Sequence, residues 1–467
     1  MAPLSLNFGM STHRGRFLLD NSAELLNCFA EPLMEGGRQQ VMLRSSPGLR
    51  PFVSTGGGAF RGGKVIGDHL YVVCGSGLYK IDASGYVQEI ASIAGSGPIQ
   101  IEHNALAEHD EIIAGPGIRY HMRSDVVVPF DQDGLPTSQG VSFIKGRFVL
   151  PIVDGRFYYS NVGETTIFAD SFYNAEGKPD GLVRSYVRRQ ELWLFGTESY
   201  EIWAITGDDS DPFTQLGGGA KAVGCLGPGA LAEIDDRIFW IDDDFQVRMA
   251  TGYDGQVIST PQVVRKIQAE PNKTAVRLDA YQLDCFNWLQ VTAPSFAECC
   301  NITTGQWTWL TTCEVTTWRG SGAIKFAGKT VIGDSETGDL YHIDMDYHRD
   351  GDEPIVMRLR SPVIHAFPTP LSLYSLHVDA MAGPEPRDQS DTTQTDPQIM
   401  LRISADGGGS WSGPLFESLS RQGEAARVVF RRLGMVQRQG AVVELTIAAP
   451  IAKAITGGLF NAAQGTS

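Results

Sequence analysis

Short apolar runs recur along much of the chain, from about residue 66 to residue 345. Each run ends in glycine or aspartate and is followed by a second run that contains an aromatic residue. Apolar and polar residues alternate within these runs, which is typical of antiparallel strands with one buried face. The copies of this pattern span residues 68–82, 110–120, 146–160, 190–203, 237–247, 287–291 with 304–309, and 329–343.

The repeat predicts a β-propeller. Successive copies are roughly 36 to 50 residues apart, the period expected for four-stranded blades. We interpret each copy as a hairpin formed by the inner strand of a blade and the strand after it. Blades packed around an axis bury one another's faces and leave only short edges. We expect seven blades; six remain an alternative, because the copy at 286–310 is irregular and a distant strand could complete one blade. An array of β-sandwiches is the competing interpretation, since the repeats lack a strict signature such as Trp-Asp.

Changes in composition and hydrophobic pattern along the sequence predict three regions in an all-β chain. Residues 1–55 precede the repeats and are interpreted as an extended N-terminal arm with a turn at 46–48. The propeller is expected over 56–352, beginning with a glycine-rich connection. Residues 353–467 are expected to form a small C-terminal antiparallel β domain, with a polar loop at 383–397 and a loose tail from residue 457. Its strands are expected near 375–379, 400–404, 426–430 and 441–447.

Composition and charge narrow the function. Of the 467 residues, 42% are hydrophobic and 20% are charged, which argues against a disordered chain. The net charge of −16 disfavours binding of duplex DNA, because that affinity comes mainly from cations that neutralise phosphates. An acidic wall would nevertheless let DNA pass without sticking. We expect no signal peptide and no transmembrane segment.

The cysteines do not indicate a disulfide framework. Seven occur, an odd number, and they are scattered in the sequence. We expect free and mostly buried thiols in a protein made in a reducing cytoplasm. The cysteines are Cys28, Cys74, Cys225, Cys285, Cys299, Cys300 and Cys313.

Two segments carry candidate chemistry. His342, Asp344, Asp346 and His348 would share one face of a strand and are plausible metal ligands. The polar run after them is more typical of a solvated strand leading into a linker, so no metal site is assigned. Residues 404–411 match the Asp-box turn, in which an aspartate binds the backbone of its own turn and a tryptophan caps the hairpin. That turn occurs in sialidase propellers, but here we interpret it as structural.

The other motifs are also interpreted as structural. Residues 242–244, three aspartates, are expected in a solvated turn, since a calcium loop needs a longer pattern ending in glutamate. Gly-x-Gly groups at 75–77 and 115–117 lie within hairpins and are turn glycines. The sequence contains no Gly-x-Ser-x-Gly elbow, P-loop or His-Glu-x-x-His motif. We therefore assign no catalytic, cofactor-binding or metal-binding residue and expect no enzymatic activity.

Several segments, in order, resemble the packaged-DNA stabilisation proteins of short-tailed bacteriophages, which are tail hub or nozzle accessory factors. The most specific is Lys178-Pro-Asp-Gly-Leu182, followed by 192–203 and 206–207. The others are 27–32, 43–48, 71–80, 94–97, 401–407 and 431–434. They cover most of the chain, although each is weak alone, and the long loop near 383–397 departs from the pattern.

The resemblance implies a structural role in the virion tail, in a particle assembled in the host cytoplasm. Such proteins form a ring, expected to be a hexamer, below the portal and its adaptor. The ring extends the DNA channel, retains packaged DNA without reading its sequence, and anchors fibres, spikes or a needle. Two alternatives are a soluble propeller scaffold for a cellular protein and a propeller glycosidase acting on the host surface.

Overall fold

The structure, a computed structural model, describes residues 3–12, 23–33, 41–175, 177–312, 315, 317–365, 370–383, 387–419, 428–436 and 439–464. The chain divides into two compact units. The repeat unit comprises Pro51–Ser295 and Arg319–His342, and the sandwich unit comprises Met1–Arg50, Phe296–Trp318 and Ile343–Ser467. The expected boundaries at 55/56 and 352/353 stay predictions. The sandwich unit draws on three separate segments of the chain.

Strands dominate both units. The first half of the chain contains β1 (Pro3–Leu6), β2 (Glu24–Leu26), β3 (Cys28–Pro32), β4 (Val41–Ser45), β5 (Gly48–Ser54), β6 (Phe60–Ile66), β7 (His69–Cys74), β8 (Gly77–Ile81), β9 (Val87–Ser92), β10 (Gln100–His103), β11 (Asp110–Gly115), β12 (Ile118–Arg123), β13 (Val126–Pro129), β14 (Ser142–Ile144), β15 (Arg147–Pro151), β16 (Arg156–Tyr159), β17 (Phe172–Asn174), β18 (Leu182–Arg188), β19 (Glu191–Gly196), β20 (Tyr200–Ile205) and β21 (Phe213–Lys221).

The second half continues the strands and adds short helices. It contains β22 (Leu231–Ile234), β23 (Arg237–Ile241), β24 (Val247–Thr251), β25 (Asp254–Val257), α1 (Pro261–Ala269), a 3₁₀ turn (Lys273–Ala275), β26 (Arg277–Leu283), β27 (Phe286–Ala293), β28 (Phe296–Asn301), β29 (Gln306–Leu310), β30 (Gly320–Phe326), β31 (Lys329–Asp334), β32 (Asp339–Asp344), β33 (Arg349–Asp350), β34 (Glu353–Pro354), β35 (Met357–Arg360), β36 (Leu371–Ala382), α2 (Thr392–Thr395), β37 (Gln398–Ser404), β38 (Leu415–Ser418), β39 (Val428–Val436), β40 (Val442–Ile447) and β41 (Lys453–Gln464). Among the described residues, no helix is long and apolar enough to cross a membrane.

The repeat unit is a closed series of antiparallel sheets. Strands β6–β9, β10–β13, β14–β17, β18–β21 and β22–β25 form five four-stranded sheets. A sixth sheet contributes β26 and β27 to this unit, and a seventh runs β30–β31–β32–β5. First strands contact one another in the pairs β6/β10, β10/β14, β14/β18, β22/β26 and β26/β30, and β30 of the seventh sheet contacts β6 of the first. Between the fourth and fifth sheets, Arg188 of β18 donates a hydrogen bond to the carbonyl of Asp236, which precedes β23. The series therefore closes on itself. Because the sixth sheet is divided between the units, the expected number of seven blades stays a prediction.

Six of the seven sequence repeats correspond to the second and third strands of their sheets, whereas the copy at 287–291 with 304–309 falls on β27 and β29. Residues 68–82, for example, form β7 and β8, whereas β6 is the strand that contacts the neighbouring first strands. The interpretation of each copy as beginning with an inner strand is therefore wrong. The second strands are the most buried, and five of the six residues of β7 are buried. Their continuous apolar runs made them the easiest strands to recognise.

Hydrophobic cores lie between successive sheets. The core that joins the last sheet to the first contains Phe60, Leu70 and Val72 from one and Val331 and Leu340 from the other. Phe60 is 3% exposed. Its ring packs so closely on two glycines of the seventh sheet that a Cβ at Gly322 would lie 2.0 Å from Phe60 Cε1, and one at Gly333 would lie 2.3 Å from Cγ. Glycine at these positions is what lets the ring close on a large aromatic side chain.

The sandwich unit packs two sheets around one core. One sheet has the strand order β3–β4–β41–β36–β39, with β1 also paired to β41. The other runs β28–β29–β2–β35–β40–β37–β38 within this unit. The shared core contains Leu359 of β35 and Leu445 of β40 from this sheet, and Leu376 of β36 and Phe460 of β41 from the other.

The N-terminal arm is incorporated into these sheets. Strand β2 pairs antiparallel with β35, with Leu25 opposite Leu359, and β4 pairs with β41. Residues 457–464, placed in a loose tail by the sequence, belong to β41, which pairs with β36 along its length. The tail expectation is therefore wrong for these residues, because cross-strand pairing orders a glycine-containing segment of weak intrinsic strand preference.

Closure of the ring generates a prediction. We expect Gly333→Ala to lower the free energy of unfolding by about 1–3 kcal/mol, because the new methyl group overlaps the Phe60 ring. Gly227→Ala is the matched control, since a Cβ at Gly227 meets no atom within 4 Å. Urea denaturation measures both. Adding Phe60→Leu should recover part of the loss in Gly333→Ala; equal stability of the two alanine variants would contradict the packing argument.

A buried lysine generates a second prediction. Lys453 of β41 is 2% exposed and donates hydrogen bonds to the carbonyl oxygens of Ile355 (2.5 Å) and Ala449 (2.8 Å). Burial lowers its pKa from 10.5 to about 7, because the charged form is desolvated. Between pH 7 and about 10 the unfolded chain binds this proton more tightly, so stability should rise with pH by up to about 1.4 kcal/mol per unit.

The measurement is the difference in unfolding free energy between the natural protein and Lys453→Met as a function of pH. The rise should appear in that difference and be absent from the same comparison with Lys329→Met, whose lysine is exposed. A flat difference for Lys453→Met would show that the lysine is not desolvated in the folded protein.

Candidate functional site

Charged residues lie on the first strands of the repeat unit, where the sheets converge. Lys64 is on β6, Glu102 on β10, Arg184 on β18, Glu233 on β22 and Asp279 on β26. All five are half-buried. Lys64 Nζ donates to Glu102 Oε2 at 3.0 Å and to Oε1 at 3.2 Å, so an ion pair joins the first and second sheets.

The other charges of this group shift the pKa values of their neighbours in the direction opposite to that of burial. Burial raises the pKa of Glu102, while Lys64 and Arg184 act in the opposite direction. Burial likewise raises the pKa of Asp279, opposed by Arg277 and Arg184. The guanidinium of Arg184 thus stabilises carboxylates on two different sheets, although burial lowers its own pKa. We call Lys64, Glu102, Arg184, Glu233, Arg277 and Asp279 the axial charge network.

Further hydrogen bonds fix this network to the scaffold. Arg184 Nη1 donates to the carbonyl of Pro228 at 2.6 Å, and Arg277 Nη1 approaches Ser321 Oγ at 3.4 Å. Nearby, the hydroxyls of Ser142 and Ser185 are 2.8 Å apart and buried. The network places three cations near three carboxylates on neighbouring sheets. Burial still raises the pKa of Glu102 and Asp279 and lowers that of Arg184, so the opposite charges offset only part of the cost of desolvation. The sequence alone did not reveal this network, because the first strands mix polar and apolar residues and their charges are far apart along the chain.

Residues 178–182, which carry the most specific resemblance, stabilise a turn. Asp180 accepts hydrogen bonds at Oδ2 from the backbone N–H groups of Glu198 (2.7 Å) and Ser199 (2.9 Å), and at Oδ1 from Ser199 Oγ (2.9 Å). A Cβ at Gly196 would lie 2.3 Å from Asp180 Oδ2. Glu201 accepts from the backbone of Gly177 and from Trp203 Nε1. These positions hold the fourth sheet to the connection that precedes it.

Arg61 has the same kind of role at the 94–97 segment. It is 3% exposed, and its guanidinium donates to the carbonyl oxygens of Ala94 (2.8 Å), Gly97 (2.9 Å), Gly75 (2.9 Å) and Ile93 (3.2 Å). One buried cation thus satisfies four carbonyls of the turns around the first sheet.

The four candidate metal ligands do not share a strand face. Strand β32 ends at Asp344, so Asp346 and His348 lie in the turn and link beyond it. Asp344 accepts from Arg50 Nε at 2.7 Å and from the backbone N–H of Asp346 at 2.9 Å. Burial acts to raise the pKa of Asp344, but these hydrogen bonds and Arg50 hold it below its usual value. In the described part of the chain, no group of three or more His, Cys, Asp or Glu residues has metal-binding geometry.

The Asp-box segment forms the expected self-bonded turn. Asp406 Oδ1 accepts from the backbone N–H groups of Gly409 and Ser410, both at 2.9 Å, and from Ser404 Oγ at 2.7 Å. Hydrogen bonds, led by that from the Ser410 side chain, lower the pKa of Asp406. Trp411 follows this turn, and its ring lies 5.1 Å from the Arg360 guanidinium and 5.6 Å from that of Arg402.

These arginines belong to a charge ladder across the second sheet of the sandwich unit. Arg360 donates to Glu444 Oε2 at 2.6 Å and to Glu24 Oε2 at 3.1 Å, and Arg358 donates to Glu24 Oε1 at 2.7 Å. Glu24 and Glu444 are 6% and 2% exposed. The ladder ties the N-terminal strand β2 to β35 and β40. The charge ladder could not be predicted from the sequence, because the partners of Glu24 lie more than 300 residues away.

Within the described residues, the cysteines and the three aspartates at 242–244 have structural roles. Cys28, Cys74, Cys225, Cys299 and Cys300 are free and buried, Cys285 is free and exposed, and Cys313 lies outside the described residues. Burial raises the pKa of Cys74 to about 11. Asp242 is 1% exposed and is paired with Arg248 Nε, so the expectation of a solvated turn is wrong for this residue. Asp243 and Asp244 are exposed.

A closed series of antiparallel sheets around a balanced charge network defines a β-propeller protein. Residues 9–348 match the family model described as "Bacteriophage P22 Gp10, beta-propeller". The match spans more than half of the chain, and the chain belongs to this phage family. The all-β propeller prediction is confirmed, and the protein is a structural component of a bacteriophage virion, as predicted at this level.

The comparison with solved structures finds chains of low sequence identity. The computationally designed Ika8 protein is 13% identical, with a TM-score of 0.38 over 67% of this chain and 96% of the other. The structure of U3-55K is 10% identical, with a TM-score of 0.41 over 64% of this chain and 99% of the other. No curated protein matches the chain.

The axial charge network generates a prediction. We expect Lys64→Met to destabilise the protein by about 1 kcal/mol, a modest value because both partners keep some exposure. The loss should be larger at pH 8 than at pH 5, because burial already raises the pKa of Glu102 and removal of Lys64 raises it further, so the unpaired charged form becomes more costly as pH rises. Adding Glu102→Gln should remove that pH dependence. Equal losses at both pH values, unchanged by the second substitution, would contradict the pairing.

Proposed function

We propose that this protein is the hub or nozzle component of a short phage tail. Copies of the chain form a ring below the portal and its adaptor, extend the DNA channel and retain the packaged genome. The same ring provides the attachment surface for fibres, spikes or a needle. The observation that carries this proposal is the family match over residues 9–348.

The electrostatics of the chain support the DNA-retaining role. The net charge is −16, so the surface as a whole repels phosphates. The axial cations are each opposed by carboxylates rather than left available to a nucleic acid backbone. DNA held in a channel built from such subunits stays mobile, because few phosphates find a cation to neutralise them. Retention is then mechanical, and release needs no breaking of protein–DNA ion pairs.

The distribution of buried polar groups supports a platform role. Arg61, Asp180, Asp242 and Glu24 are all engaged in fixing turns and strands to one another. Such interactions rigidify a scaffold, and rigid scaffolds present their loops for contact with partners. Membership in a phage structural family favours this role over the propeller scaffold of a cell and over the glycosidase.

The test is co-sedimentation with DNA-filled heads that carry portal and adaptor rings but lack later tail proteins. We expect saturable binding at a multiple of six copies per particle, together with slower loss of DNA. Empty heads without the adaptor are the control and should not bind the protein. Circular dichroism establishes that the added protein is folded.

Two results would contradict the proposal. Folded protein that does not sediment with complete heads would remove the hub role. Release of reducing sugars from host polysaccharide by the purified protein would instead favour the glycosidase.

A further inference from the structure

Strand β38 lies at the end of the second sheet of the sandwich unit and has one free edge. Among the described strands it pairs only with β37, and Phe416 lies opposite Met400. All four residues of β38 are exposed, including Leu415 (41%) and Phe416 (57%). Within the described part of the chain, both faces of this strand and one of its edges are therefore open to solvent.

The ladder between β37 and β38 determines which backbone groups point to the free edge. The backbone N–H of Leu419 donates to the carbonyl of Pro397 at 2.8 Å, so these residues form a hydrogen-bonded pair of the antiparallel ladder. Such pairs alternate, and the register makes Glu417 the next residue bonded to β37. The N–H and C=O groups of Phe416 and Ser418 therefore point away from β37. None of these four groups has a hydrogen-bond partner among the described residues.

Hydrogen bonds fix the free edge in place at both ends of β38. Before the strand, the Asp406 carboxylate closes the turn from β37 by accepting from the backbone N–H groups of Gly409 and Ser410. At the end of the strand, Ser418 Oγ donates to Asp396 Oδ1 at 2.7 Å. A preformed edge costs less conformational entropy to pair with than a mobile segment does.

Open space lies beside the free edge. A cavity of about 520 Å³ is bordered by residues 415–417 of β38 and by residues 429–431 of β39. Strand β39 is the last strand of the first sheet, so the ends of both sheets border this cavity. A second cavity, of about 640 Å³, is bordered by Phe416, Met400 and Thr446 among others. Phe416 thus lies between two cavities, and a partner at the edge can pack against it.

The unpaired backbone groups indicate an extended polypeptide as the partner. Two N–H donors and two C=O acceptors that alternate along a strand match the backbone of another strand, and pairing satisfies all four. Directly opposite residues of paired strands share a face, so an apolar β-branched side chain fits opposite Phe416 and a cation fits opposite Glu417. A cationic segment also suits a chain whose net charge is −16, whereas a second, equally acidic copy would be repelled.

We propose that the free edge of β38 binds an extended, cationic peptide segment of another protein. The segment adds to the second sheet as an antiparallel strand, which continues the antiparallel pairing of β35, β40, β37 and β38. Its backbone bonds Phe416 and Ser418, and its cation pairs with Glu417. This proposal goes beyond the hub function and does not depend on it.

A synthetic peptide tests the mode of binding. The probe is Ser-Thr-Lys-Val-Ile-Ser, amidated and labelled with a fluorophore at its N-terminus, whose lysine and valine would lie opposite Glu417 and Phe416. Fluorescence anisotropy should show saturable binding of one peptide per chain. Methylation of the valine nitrogen should weaken binding by about tenfold or more, because that N–H donates to the Phe416 carbonyl. Methylation of the lysine nitrogen is the matched control and should change the affinity by less than about threefold, since that N–H points away from β38.

Substitutions in the protein give a second readout. Ser418→Pro removes an N–H that points to the free edge and leaves the bonds to β37 intact, so it should weaken binding of the probe by about tenfold. Glu417→Lys should reverse the charge preference, so that a probe with glutamate in place of lysine binds this variant about threefold better than the natural chain. Both variants should keep the thermal midpoint of the natural chain.

Several outcomes would overturn the proposal. One is the absence of saturable binding of the unmethylated probe to the folded natural protein. Equal weakening by the two methylations would show a non-specific apolar contact, and unchanged binding to Ser418→Pro would place the probe elsewhere. Self-association of the natural chain that Ser418→Pro abolishes would show that the edge pairs with a second copy instead. None of these measurements involves phage heads, so failure of this proposal and failure of the hub function are distinguishable.

Discussion

The packing of Phe60 against Gly322 and Gly333 joins the last sheet of the repeat unit to the first. Without this contact the series of sheets would end in two uncovered faces, each lined with the apolar residues that now form a shared core. Closure also brings the first strands together. Lys64, Glu102, Arg184 and Asp279, which are far apart in the sequence, can balance one another only because the strands that carry them are arranged in a closed series.

The sandwich unit depends on a comparable long-range interaction. Strand β2 has three residues, too few to specify its own position, yet Glu24 fixes it by ion pairs to Arg358 and Arg360. Glu24 is buried and has both arginines as partners, so replacing one arginine would leave the other to neutralise its charge. The segment before the repeats is thus an integral part of a folded unit. This arrangement suits an assembly protein, whose surfaces must be in place before its neighbours bind.

The sequence was informative wherever local patterns determine structure. The second strands of the sheets, such as β7, are continuous apolar runs and were recognised, and the self-bonded turn at Asp406 followed from its own residue spacing. Pairing between residues that are far apart in the chain could not be predicted from the sequence. Nothing near Glu24 indicates Arg360 as its partner, and residues 457–464 become a strand only beside β36. The prediction that His342 and His348 share a strand face is wrong, because β32 ends at Asp344. The carboxylate of Asp344 pairs with Arg50.

Together, a closed propeller and an acidic chain support the proposal that DNA passes this subunit without binding it. The most direct measurement is an electron cryo-microscopy reconstruction of the virion tail that carries this protein. Propeller-shaped density repeated around the DNA exit channel, below the adaptor, is the expected result. Density for the chain elsewhere in the particle, or its absence from purified virions, would contradict the central claim.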